Sequence, residues 1–405
     1  MKKLICFIAA CFLAAMMPGT ALADMGTVPD MTEKTEEACE ALLGEDTESG
    51  ETDDAAADLR ACALALYGKG FDAEEYLDLL WDRMTERLSG TSSQGEMSPA
   101  EIQRIVLTVL MLGGDPSAFG TYPDGTPADL AAMCMWDLRG GDLGDAGAEA
   151  VIGALILADS GMIDIPDGTG ADSDSLLKLL ISMQNDEGGF GTAEDDTVYL
   201  TARALQALAA HRDDPEAAAC IDGAFAYLSG VQSDTGGFPG MESYEECGNT
   251  AEVLMALIAF EIDPAEDSGF VKKGNTVIDA LMRFRRDDGT YRRTAEDDAG
   301  DSEATAKAAL AMETVRIMKE EGRFIYDLRS YEPPVKNYKR SPGKEAESSG
   351  TGESSGEEDS GNAPGDAGSD RGSRTTIYIF AGIAAALLAA LAAVFIKRSK
   401  GKKGD

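Results

Sequence analysis

Between residues 30 and 332, apolar positions recur three and four apart in runs of several helical turns. No stretch alternates apolar and polar residues in a β-branched run, so no strand is predicted. Twelve helices are predicted, in six pairs: 33–43 with 55–67, 73–88 with 98–112, 126–138 with 145–159, 173–184 with 196–211, 216–231 with 248–262, and 273–285 with 302–319. Ser98-Pro99-Ala100-Glu101 reads as a capping box with Pro at the first helical position, and Gly113-Gly114 stops that helix. Thr126-Pro127-Ala128-Asp129 reads as the start of the next one. The second helix of each later pair is rich in alanine, as at Ala202, Ala204, Ala207 and Ala209. Small residues on all sides suit a helix crowded by neighbours. The first helices keep a polar stripe, such as Glu74, Glu75, Asp78 and Asp82, which suits an outer layer. The predicted fold class is therefore all-α, an α/α toroid of about six outer–inner pairs.

A repeat punctuates the pattern. Gln184-Asn185-Asp186-Glu187-Gly188-Gly189-Phe190 returns as Gln232-Ser233-Asp234-Thr235-Gly236-Gly237-Phe238, and in worn form as Arg286-Asp287-Asp288-Gly289-Thr290-Tyr291. A spacing of roughly 50 residues is that of a repeat architecture. Each copy ends one helix and precedes another. Glycine reverses the chain there at little steric cost, and the aromatic anchors the turn.

The ends of the chain carry different signals. Met1-Lys2-Lys3, an apolar run to Met17 and Ala21-Leu22-Ala23 read as a signal peptide over residues 1–23. Residues 333–374 form an expected stalk, rich in Ser, Gly and acid and too poor in apolar residues to fold. Ile377 to Ile396 is an uncharged apolar run long enough to span a bilayer. The basic tail at 397–405 follows, which predicts a cytoplasmic C-terminus and an extracellular body over 30–332. A formal net charge of −38 argues against a nucleic-acid partner, whose phosphates need Lys and Arg. Five of seven cysteines fall in the body: Cys39, Cys62, Cys134, Cys220 and Cys247. An odd, scattered set is no disulfide framework. Only Cys39 and Cys62 are placed to meet, while Cys220 and Cys247 fall at opposite ends of their helix pair.

The helix–Gln-x-x-x-Gly-Gly-Phe–helix unit resembles the prenyltransferase and squalene-oxidase repeat of the terpenoid-cyclase-like toroids, most clearly from Leu176 to Met312. Asn249 to Leu257, Ile262-Asp263-Pro264 and Phe270 to Asn275 are similar to secreted bacterial members. The resemblance implies three chemistries, each needing particular residues. Prenyltransferases hold zinc with an acid, a Cys two residues on, and a later His. Glu245-x-Cys247 matches the first half, but the sole histidine, His211, sits in an earlier helix. Two ligands do not make a zinc site, so no metal is expected and Cys247 reads as a packed thiol. Class II cyclases protonate an alkene with an Asp-x-Asp-Asp-Thr-Ala element. Here Ala193-Glu194-Asp195-Asp196-Thr197 has Ala at the first acidic position, and both Trp81 and Trp136 lie on outer helices. Asp195 and Asp196 would be the catalytic acids if cyclase chemistry survived. Glycan cleavage by paired carboxylates is the third possibility, and nothing singles out a pair. Cobalamin-carrying toroids bear a small β domain after the ring, where this chain has its acidic stalk.

The expected function is a non-catalytic, membrane-tethered surface module binding a small molecule or protein. The alternative is an enzyme on isoprenoid or glycan substrates. Ligand contacts are expected at one end of the ring, from Glu194, Asp195, Asp196, Tyr199, Glu245, Glu246, Asp297, Asp298 and Asp301. Helix N-termini offset only about half a charge each, so this mouth should stay negative, repel anions and hold Ca²⁺ weakly, with no other cofactor. Protease added to intact cells should release a ring-sized fragment by cutting the stalk. Digestion of the 397–405 tail while the ring survives would reverse the orientation.

Overall fold

The computed structural model describes residues 28–45, 54–90, 96–138, 142–192, 196–241 and 243–340. The predicted signal peptide, most of the predicted stalk and the apolar run 377–396 lie outside them. Among the described residues no helix is long and apolar enough to cross a membrane.

Among the described residues there are twelve α-helices, and isolated β-bridges but no strand. They are α1 (Thr32–Leu43), α2 (Asp54–Tyr67), α3 (Ala73–Leu88), α4 (Pro99–Leu112), α5 (Leu130–Met135), α6 (Ala148–Asp159), α7 (Ser173–Ser182), α8 (Thr197–Leu208), α9 (Pro215–Val231), α10 (Cys247–Ala259), α11 (Val277–Arg283) and α12 (Ser302–Glu321). The even-numbered helices pack in sequence, α2 on α4, then α6, α8, α10 and α12, and α12 packs back on α2. This is a closed inner ring. The odd-numbered helices lie against it, with α1 touching both α2 and α12 across the closure. Alanine content had assigned inner and outer correctly. On α10 every residue but Gly248 is buried.

Carboxylates start many of these helices. Asp72, Asp129, Asp172, Asp196, Asp214 and Asp301 each accept a backbone N–H from the first turn, satisfying a donor that has no intrahelical partner. Two expected starts differ. Ser98 caps α4 through Glu101 N at 3.2 Å, but the Glu101 side chain turns away to Arg87 at 2.8 Å, so the box is half made. The helix expected from residue 126 begins at Leu130. Residues 126–128 are held extended instead, with Phe119 N donating to Ala128 O and Ala128 N to Gly120 O.

The repeat turns link neighbouring outer helices. Gln184 Nε2 donates to Gly188 O within its turn and to Cys220 O on α9, at 2.9 and 2.7 Å. Gln232 Nε2 does the same with Gly236 O and Phe270 O, at 2.8 and 2.9 Å. Gly188, Gly236 and Gly289 all have φ near the left-handed region, at +89°, +88° and +84°. Each lies flat on the next outer element: Gly188 on Gly223 O of α9, Gly236 on Thr276 O at the start of α11, and Gly289 on Glu37 O of α1. The third contact closes the outer layer, and an Arg285–Glu37 ion pair accompanies it. Phe190, Phe238 and Tyr291 are fully buried. Their backbone N–H groups donate to Thr201, Thr250 and Thr305 hydroxyls at 3.0, 3.3 and 2.9 Å. The first half of the ring uses another tie. Asp58, fully buried on α2, accepts from Tyr76 and Arg83 on α3 and Arg104 on α4.

Residues 324–340 cross the far side of the inner ring. Leu328 N donates to Ser160 O, Tyr331 OH to Met111 O, and Val335 N to Leu112 O. Tyr338 and Arg340 then reach Asp78 on α3. Residues 333–340, expected in the stalk, thus belong to the packed body.

Ala at position 289 would strain a positive φ and bring Cβ to 2.6 Å from Glu37 O. Gly289→Ala should cost at least about 1–2 kcal/mol from the backbone conformation alone. Urea unfolding would measure it. An unchanged midpoint would mean the turn is not held against α1.

Candidate functional site

The closed inner ring encloses a cavity of about 460 Å³, with residues from all six inner helices in its wall. That size falls within the ~300–1,000 Å³ of small-molecule sites. The residues capping α4, α8 and α12 (Ser98, Asp196 and Asp301) and those opening α6 and α10 (Glu149 and Glu246) line it, which places the inner-helix N-termini at its mouth. Tyr326, from the segment after α12, lines the opposite end.

The wall has two characters. On α2, α4 and α6 apolar residues predominate (Ala55, Leu59, Leu107, Met111, Ile156 and Leu157), with Glu101, Gln103, Arg104, Thr108 and Glu149 among them. On α8, α10 and α12 it is polar and charged: Tyr199, Arg203, Asn249, Glu252, Glu303 and Lys307. Lys307 pairs with Glu303 at 2.7 Å and lies 5.0 Å above the Tyr199 ring. Burial opposes its charge, but Tyr199, Glu303 and Glu252 outweigh burial and hold its pKa above the usual lysine range. Arg203 donates to Tyr326 OH at 2.8 Å and also faces that ring. Burial again opposes the charge, and Tyr326 and Glu252 more than offset it. Burial raises the Tyr326 hydroxyl to about 12, so it stays protonated. Glu252 is 4% exposed and accepts from Gln206 Nε2 at 2.8 Å.

The expected contacts divide. Asp196, Tyr199, Glu246 and Asp301 line the cavity. Asp196 is occupied as an acceptor, from Tyr199 N at 3.0 Å and from Asn249 Nδ2 at 2.9 Å. Glu246 pairs with Arg293 at 3.0 Å. Glu245 faces a shallower groove, bonded to Ser233 and Thr235 and paired with Arg283. Asp297 and Asp298 do not line the cavity. Asp297 accepts from Thr294 N and Oγ1, at 2.7 and 3.0 Å, which holds its pKa below the usual carboxylate range. Glu194 and Asp195 lie outside the described residues. The turn residues Gln184, Gly188, Gly189, Phe190, Gln232, Gly236, Gly237, Phe238, Gly289 and Tyr291 hold the ring and none lines the cavity.

The mouth does carry acids, but the expectation of an anion-repelling site missed the interior. Arg104, Arg203, Arg293 and Lys307 all reach the wall. No signal from the repeat turns marks Arg203, Glu252 or Lys307. Arg203 and Glu252 are each the single charged residue of an inner helix, which is their signal, whereas Lys307 shares α12 with Glu303 and other charges.

The metal and disulfide readings also meet the geometry. Among the described residues no cluster of His, Cys, Asp and Glu is arranged to hold a metal ion. Cys247 opens α10, fully buried, with its thiol on Ala304 O at 3.7 Å. His211 follows the C-terminal end of α8, bonded to Asp159 at 2.8 Å. The five described cysteines are buried and unpaired, Cys39 and Cys62 included. Cys62 instead shares a hydrogen bond with Thr108 at 3.5 Å.

No family model matches the chain, and no curated protein matches it. Solved structures similar to it include a protein from Actinoplanes, 16% identical, covering 71% of this chain and 100% of that one at a TM-score of 0.43. The apo type II terpene cyclase MstE from Scytonema is 14% identical, covering 72% of this chain and 99% of that one at 0.39. The ent-copalyl diphosphate synthase from Streptomyces platensis is 17% identical at 0.37, over 64% of this chain and half of the synthase. Likeness at this level transfers no chemistry. The closed ring stands on this chain's own helix contacts.

The Asp159 hydrogen bond raises the His211 pKa, with burial opposing. Stability from this pair is complete below the ordinary histidine range of about 6.5 and is lost as pH rises through the elevated folded value. Melting temperature should fall as pH rises above about 6.5 and through the elevated folded value, and His211→Asn should flatten that slope. A slope unchanged in the variant would place the titration elsewhere.

Proposed function

We propose that the chain is a non-catalytic binding protein whose ring cavity holds a small ligand, tethered to a membrane by residues 377–396 with the ring outside. The observation that carries the binding role is the cavity itself, lined by six helices and furnished with Arg203, Glu252 and Lys307. Charged side chains are costly to enclose, and a site that keeps them there holds preorganised partners for a polar ligand.

Two features support the absence of catalysis. Asp196, the described member of the broken acid element, spends its oxygens on Tyr199 N and the Asn249 amide. The aromatic residues of the wall are Tyr199 and Tyr326, each engaged with a cation of the protein. A carbocation cascade needs a free acid and open aromatic faces. The tether rests on the sequence, on the apolar run and the basic residues after it.

Mass spectrometry of small molecules retained by the purified full-length protein tests the reading. One compound should be retained near stoichiometrically and be lost from Leu107→Trp, which fills the apolar wall without touching the charged one. Conversion of geranylgeranyl diphosphate to a cyclised product by the wild type would overturn the non-catalytic role. An empty wild-type protein would overturn the binding role.

A further inference from the structure

Below the carboxylates of the mouth (Glu149, Asp196 and Asp301), two opposite charges, Arg203 and Glu252, stand in the cavity without an ion-pair partner among the described residues. Arg203 on α8 has Tyr326 OH at 2.8 Å and a long contact to Gln206 Oε1 at 3.5 Å. Glu252 on α10 has Gln206 Nε2 at 2.8 Å. The Gln206 carboxamide therefore lies between guanidinium and carboxylate, near enough to touch each. Lys307 differs, because Glu303 already neutralises it.

A bare anion would suit Arg203 but would have to pass the acids of the mouth. A bare cation would suit Glu252 but would meet Arg203 and Lys307 beside it. A ligand with no net charge, carrying an anion and a cation a short distance apart, avoids both penalties. Its carboxylate would lie on the planar donor face of Arg203, its ammonium on Glu252, and its apolar part on the wall formed by Leu59, Leu107 and Ile156. We infer that the ring cavity is a receptor for a small zwitterion with an apolar body, the chemistry of a free α-amino acid. This rests on the cavity being the binding site, as proposed above.

The charge arrangement gives the inference its test. Leucine and phenylalanine serve as probes, each beside its N-acetyl form, which keeps only the anion, and its amide, which keeps only the cation. Binding to the full-length protein is read by calorimetry, and by a melting temperature that rises with ligand concentration. Each blocked form loses one charged hydrogen-bonded contact and should bind about ten- to hundred-fold more weakly than the zwitterion. Glu252→Gln should bring the zwitterion down to the affinity of its N-acetyl form and leave that form unaffected. Arg203→Gln should do the same with respect to the amide. The blocked probes apply to the wild type, so the test survives if a variant fails to fold.

An N-acetyl form that binds as tightly as the free amino acid would make this an anion site. An amide that does so would make it a cation site. Either overturns the inference. If no probe binds but a compound is retained by the wild type and lost from Leu107→Trp, the zwitterion falls and the binding cavity stands. If no probe binds and nothing is retained, both fall.

Discussion

Three glycines lying flat on backbone carbonyls hold this architecture in register. Gly188, Gly236 and Gly289 each take a positive φ, and each meets the next outer element so closely that a methyl group would collide with it. The third of these contacts is the decisive one. It joins the last repeat to Glu37 on the first helix, more than two hundred residues away in the chain. It acts together with the packing of α12 on α1 and α2, which closes the array. The inner helices thereby enclose a space. The buried aromatics and the threonines that hold their backbone N–H groups fix the height of each inner helix relative to its turn.

The chemistry of the cavity follows from that closure. Inner helices that run the same way bring their N-terminal carboxylates to one end, where backbone N–H groups stabilise them. Those acids are consumed by capping and pairing, as with Asp196, Asp301 and Glu246. What remains for a ligand is deeper, in the middle of α8 and α10. There the enclosed setting strengthens any charge–charge interaction relative to the open surface. Tyr326 contributes from outside the ring helices, so the segment after α12 forms part of the site as well as part of the fold.

Most of the helical architecture was legible in the chain. Capping carboxylates, glycine stops and the Gly-Gly-aromatic turns mark helix ends by local chemistry, which the fold then preserves. The start of α5 differs from its local pattern: Thr126-Pro127 has the chemistry of a helix entry, while tertiary pairing with residues 119–120 keeps it extended. The threonine ties were also written in the sequence, as Thr201-Ala202, Thr250-Ala251 and Thr305-Ala306 at matching places in three repeats. The site was less legible. Acids near the turns are abundant and point to the rim, but local geometry uses many of them up, as with Asp297 on Thr294. Arg203 and Glu252 are each the single charge of an otherwise uncharged inner helix, and Lys307 follows Glu303 by one turn on α12. Their convergence depends on ring closure, a contact between distant parts of the chain that no local pattern encodes.

Closure is therefore the claim from which the cavity and its charges descend. Native-state hydrogen exchange resolved by helix tests it directly, because α1 and α2 precede the repeats and are held to them through α12 and Gly289. Buried amides of α1 and α2 should exchange only with global unfolding, at the same free energy as those of α10 and α12. Exchange of α1 and α2 at a markedly lower free energy, with α8 to α12 still protected, would show an open array and contradict the account.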